Sequence, residues 1–148
     1  MDIFKFNCDH FDRSNNKIEY IKSIKQKESI NWVYISEYQI LSEDFIRIHK
    51  DSINWIIISK HQTLSESFIA EFQDKVDWIF ISTYQKLSED FIRKFQNKID
   101  WHCISNSQKL SESFIMEFMN KISWFFIFQN ENISLSESFI IELKLKGM

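Results

Sequence analysis

The residues best suited to proton transfer, nucleophilic attack or metal binding are Cys8, His10, His49, His61, His102 and Cys103. Cys8 and His10 stand two apart, a ligand-like spacing. No second pair accompanies them, and a zinc site takes four ligands, or three and an open position. His102 directly precedes Cys103. A catalytic Cys–His pair needs converging side chains, whereas adjacent residues of a helix point apart. His49 occupies a position where other repeats carry Phe72, Phe95 and Phe118, which reads as a half-buried neutral ring. His61 replaces Tyr38 and Tyr84 at what should be an edge of the core. Two cysteines make neither a disulfide framework nor a metal cluster, and read as free thiols in a reducing compartment. No catalytic, cofactor-binding or metal-ligating residue is therefore expected.

Two sets of polar residues recur instead of standing alone. Ser42-Glu43 returns as Ser65-Glu66, Ser88-Glu89 and Ser111-Glu112. A catalytic serine would be one special copy beside a base, so equivalent copies argue for helix capping. Ser36 and Gln39 return as Ser59 and Gln62, Ser82 and Gln85, Ser105 and Gln108. Three apart, they share one side of a helix. The glutamine is expected to satisfy backbone groups at a turn or in the next repeat, giving a polar seam. A ligand-binding ladder is the sharper alternative.

These residues belong to one phrase, W-x-x-I-S-x-x-Q-x-L-S-E-x-F-I-x-x-F. It begins at Trp32, Trp55, Trp78, Trp101 and Trp124, a constant spacing of 23 residues that uses every tryptophan of the chain. Fixed-period self-similarity signals a repeat architecture. In the second half of each unit, Leu41-Ser42 is followed by Ile46. With the serine at N-cap, the leucine and isoleucine form a hydrophobic staple, and Glu43 faces the positive end of the helix dipole. The first half follows the same rule. Asn31, Asn54, Asp77, Asp100 and Ser123 precede the tryptophans as N-caps, between an apolar residue such as Ile53 and the isoleucine at Ile58. Two staples per period predict two helices, over about residues 32–39 and 43–51 of the first unit. The expected fold is all-α, a right- or left-handed solenoid of short helix–helix repeats. The alternative is a strand–helix solenoid, since Trp55 to Ile58 and Trp124 to Phe128 are continuous apolar runs.

Residues 1–31 fit the phrase poorly and read as a degenerate N-terminal capping segment. Residues 32–148 read as the repeat domain, the whole forming one structural domain. The last unit diverges: Phe128 replaces the serine, Leu135-Ser136 arrives two residues late, and Ile141, Leu143 and Leu145 stand at late positions that are usually polar or mixed. It is expected to be the C-terminal cap. The chain has no proline and only Gly147 as glycine, which removes glycine-rich phosphate loops and most tight hairpins. Its net charge is -3, with 18 basic residues interspersed among 21 acidic ones, so nucleic acid is not an expected partner. No apolar run is long enough for a membrane span, and Met1-Asp2-Ile3-Phe4-Lys5 lacks signal-peptide character.

Carried by Trp32, Ile35, Ser36, Gln39, Leu41, Ser42, Glu43, Phe45 and Ile46 and their later counterparts, the phrase resembles the short tandem repeats of proteins from giant DNA viruses that infect amoebae. The resemblance implies no activity, cofactor or catalytic residue. It implies expression in the cytoplasm of an infected host cell. The expected function is a non-catalytic repeat scaffold that binds a protein partner. Its binding face would draw on the varied positions, Val33-Tyr34, Ile56-Ile57, Ile79-Phe80, His102-Cys103 and Phe125-Phe126, with Arg47, Ala70, Arg93 and Met116. The alternative is a small enzyme or a nucleic-acid module using the concave side of the stack. The oligomeric state is not legible in the sequence.

Overall fold

The computed structural model of the protein describes residues 31–146. The capping segment expected over residues 1–31 falls outside them, apart from Asn31. Among the described residues ten helices follow in order: α1 Trp32–Tyr38, α2 Glu43–Ile48, α3 Trp55–His61, α4 Glu66–Glu71, α5 Trp78–Tyr84, α6 Glu89–Lys94, α7 Trp101–Ser107, α8 Glu112–Glu117, α9 Trp124–Ile127 and α10 Glu137–Leu145. Each repeat contributes two, and the first helices of successive repeats pack on one another, α3 on α5, α5 on α7 and α7 on α9. The all-α repeat solenoid is thus the fold. Among the described residues there is no strand. The apolar runs at Trp55 and Trp78 are helical because their caps override β propensity.

The caps are those the sequence dictates. Ser42, Ser65, Ser88, Ser111 and Ser136 each accept a hydrogen bond from the amide three residues on. Asn54, Asp77 and Asp100 do the same for the first helices. Ser123, read as an equivalent cap, makes no side-chain cap bond, and α9 is only four residues long. The second helices also end earlier than expected. After Ile48 the chain turns, with the Ser52 and Ile53 amides both donating to the His49 carbonyl. The same turn follows α4 and α6, where Lys75 and Val76 bond Phe72, and Lys98 and Ile99 bond Phe95.

The core runs through the stack. Ile58, Ile81 and Ile104 of the first helices and Ile46, Ile69, Ile92 and Ile115 of the second are fully enclosed. Burying one such side chain contributes about 1.5–3 kcal/mol. The tryptophans are half-buried. Each of three indoles donates to the carbonyl five residues earlier, Trp55 to Lys50, Trp78 to Gln73 and Trp101 to Gln96. An indole N–H needs a partner, and the turn carbonyl holds the ring at the rim. There Lys75, Lys98 and Lys121 lie over the rings of Trp55, Trp78 and Trp101. In the last unit Leu143 joins the core, while Ile140, Ile141 and Leu145 are exposed. Among the described residues no further unit covers them.

Candidate functional site

The seam between repeats consists of three ladders, each tying a side chain to the backbone of the adjacent unit. In the first, Gln62 donates through Nε2 to the carbonyls of Ser36 and Gln39 at 2.8 and 2.6 Å, and its Oε1 accepts from the Leu41 amide at 2.8 Å. Gln85 repeats this on Ser59, Gln62 and Leu64, and Gln108 on Ser82, Gln85 and Leu87. The glutamine thus serves the turn of the preceding unit, not the next one. Both ends of each buried amide are occupied by backbone. That accounts for the glutamines structurally and leaves no ligand ladder to invoke.

The second ladder uses the serine. Ser59 Oγ donates to the Trp55 carbonyl within its own helix and accepts from the Asp77 amide of the next unit at 2.9 Å. Ser82 does this for Asp100, and Ser105 for Ser123. The third uses the glutamate that opens each second helix. Glu43 Oε1 accepts from the Ser65 amide, and Glu66, Glu89 and Glu112 serve Ser88, Ser111 and Ser136. In an ordinary capping box the acid three residues into a helix reaches back to its own N-cap amide. Here the acid comes from the preceding repeat, a role beyond the dipole.

The last unit closes two ladders. Asn130, not the period-matched Glu131, supplies the amide, donating to the Ser105 and Gln108 carbonyls at 2.9 Å each. Its shorter arm turns Oδ1 to the Asn132 amide within its own loop. Phe128, in the serine position, is exposed.

A fourth connection is intermittent. Arg47 lies over the ring of Phe68 and donates to Glu71 and Asp44. Arg93 lies likewise over Phe114 and bonds Glu117 and Asp90. The intervening position is Ala70, and the one after is Met116. All four are half-buried.

The outward side of the first helices is apolar. Val33, Ile56, Ile79 and Phe125, each one residue after a tryptophan, are 49, 54, 56 and 66 % exposed, and the fourth unit places the exposed His102 there. Tyr34, Tyr38 and Tyr84 add exposed rings, whereas Ile57, Phe80, Cys103 and Phe126 are half-buried. Lys60 lies over the rings of Phe80 and Tyr84.

The residues with chemical potential are scattered. His49 stacks on Phe45 at 4.4 Å between centroids, in the geometry of Phe72 on Phe68 at 4.7 Å, so it fills a phenylalanine's place. His61 and His102 are exposed. Burial pushes the Cys103 thiol above its ordinary value, the opposite of an activated nucleophile. The Cys103 amide, donating to Asp100 at 2.8 Å, holds that carboxyl below its ordinary value. Cys8 and His10 lie outside the described residues. Among the described residues no three His, Cys, Asp or Glu side chains are grouped to hold a metal, and no helix is long and apolar enough to cross a membrane.

Fold and seam together define a helical-repeat protein built from a 23-residue unit. Compared with protein-family models, curated proteins and solved structures, the chain matches none.

Proposed function

We propose that the protein is a non-catalytic scaffold that binds a protein partner through the outward side of its first helices, in the cytoplasm of an infected host cell. The observation that carries this reading is the stripe of Val33, Ile56, Ile79 and Phe125, about half or more exposed at one repeat position and interrupted in the fourth unit by the exposed His102. The seam accounts for the repeated polar residues, and the core for the buried isoleucines. Nothing in the fold accounts for a row of large apolar side chains facing water. Contiguous exposed apolar surface on a soluble fold marks a contact site. Stacked repeats present such positions in a line, which suits an extended partner. The cellular setting rests on the resemblance of the repeat phrase. The test is capture from infected host cells with the intact protein, beside a variant carrying Ile56→Glu, Ile79→Glu and Phe125→Glu. The variant should keep the parent's thermal stability and lose the partner. A partner retained at parental yield by the folded variant would refute the assignment of this surface.

A further inference from the structure

Between the second and third units the row of second helices opens into a slot of about 290 Å³. Its walls are Glu66, Ser67 and Ala70 from one unit and Asp90, Phe91 and Lys94 from the next. At the preceding joint the same place is filled. The Arg47 guanidinium lies 5.0 Å from the Phe68 ring centroid, with Nε on Glu71 at 2.8 Å, Nη1 on Asp44 at 2.9 Å and Nη2 3.7 Å from Glu43. At the following joint Arg93 lies 5.0 Å from Phe114, between Asp90 and Glu117. Only at the middle joint is the arginine an alanine. The phenylalanine remains, and Phe91 is 6 % exposed where Phe68 and Phe114 are 0 %. The slot has the place and the ring floor of an arginine site, and keeps Glu66 for Glu43, but carries Ser67 and Lys94 where the preceding joint has Asp44 and Glu71.

We propose that this slot binds the side chain of an arginine presented by a partner protein. The guanidinium lies flat on Phe91, as Arg47 lies on Phe68. Glu66 stands where Glu43 faces Arg47, and like Glu43 gives its Oε1 to the next serine amide, leaving Oε2 for the ligand. Asp90 supplies the second acceptor from the opposite wall and gives only Oδ1 to Arg93. A planar, five-donor cation fits a ring face flanked by carboxylates better than the compact ammonium of lysine. The opposing group is Lys94, which replaces Glu71 and Glu117. Its ammonium is turned onto the Phe95 ring at 5.3 Å. It weakens the site and supplies a lever for testing it. The slot belongs to the second helices and the apolar stripe to the first, so either can fail without the other.

The experiment is a nuclear magnetic resonance titration of the full chain with N-acetyl-arginine methylamide, with the lysine and glutamate analogues as parallel arms. The arginine compound should move the Ala70 and Phe91 amide signals, and the analogues should leave them in place. Ala70→Arg should fill the slot from within and abolish the response at unchanged melting temperature. Ala70→Met, which mimics Met116 at the equivalent position, serves the same purpose should the arginine variant not fold. Lys94→Glu restores the missing carboxylate and should tighten binding about fivefold. An equal response to lysine, a response to glutamate, a response surviving in the filled variants, or silence in both the parent and Lys94→Glu would each overturn the proposal.

Discussion

Replacing Gln85 by leucine isolates what the glutamine ladder contributes. Leucine has nearly the same volume but no polar group. The buried amide makes three bonds to backbone, to the Ser59 and Gln62 carbonyls at 2.9 and 2.7 Å and from the Leu64 amide at 3.0 Å. Leaving three buried backbone groups without these partners costs about 3–9 kcal/mol before any relaxation, at 1–3 kcal/mol each. The leucine returns about 1.5–3 kcal/mol through burial. The net loss lies between about 0 and 7.5 kcal/mol and centres near 4 kcal/mol, a large part of the roughly 5–15 kcal/mol that stabilises a typical domain. Urea unfolding followed by circular dichroism reads it directly. Lys86→Leu, an exposed neighbour, serves as the control and should fall within about 0.5 kcal/mol of the parent. A Gln85→Leu protein unfolding at the parent's midpoint would refute the reasoning, since the turn would then not depend on the amide.

Phe91→Ala should cost about 3–5 kcal/mol and Ser88→Ala about 0.5–2 kcal/mol in the same assay, because the first empties a core position and the second removes one cap bond. A Phe91 variant indistinguishable from the parent would remove that ring from the core. Asp100 has a folded-state pKa below its ordinary value through the Cys103 amide. Its contribution is therefore complete above the unfolded carboxylate range and is lost as pH falls through the lower folded value. The stability gap between Asp100→Ala and the parent should be widest near neutral pH and shrink towards about pH 2, measured by thermal unfolding across pH. A gap that widened on acidification would contradict the sign.

The helix count per unit was legible because capping is local. A serine, a flanking leucine and an isoleucine four residues into the helix specify a helix start with no knowledge of what packs against it. Helix ends were less legible: residues 49–51 continue the helical pattern by composition, but the turn on the His49 carbonyl stops it. The seam was legible in kind and not in direction. Ser36 and Gln39 announced a polar partner, but their spacing does not state which neighbour receives the bonds. Glu43 looked complete as a dipole partner, so its bond across to Ser65 had no signal of its own beyond its recurrence. Asn130 was hidden by a one-residue shift, although a buried amide demanded somewhere in the last turn pointed to it. Positions 47, 70, 93 and 116 read in the sequence as part of a variable binding face, because the contacts of Arg47 and Arg93 with the next unit exist only when helices are stacked.

The most direct test of the ladders is amide hydrogen exchange at five residues outside the helices. Leu64 and Leu87 donate to glutamine Oε1, and Asp77, Asp100 and Ser123 donate to serine Oγ of the preceding unit. If side chains close the seam as described, these amides exchange as slowly as those of Ile58 and Ile81, which donate to the Asn54 and Asp77 carbonyls at the starts of their helices. Exchange at the rate of an unprotected loop at these five positions, with Ile58 and Ile81 still protected, would contradict the account.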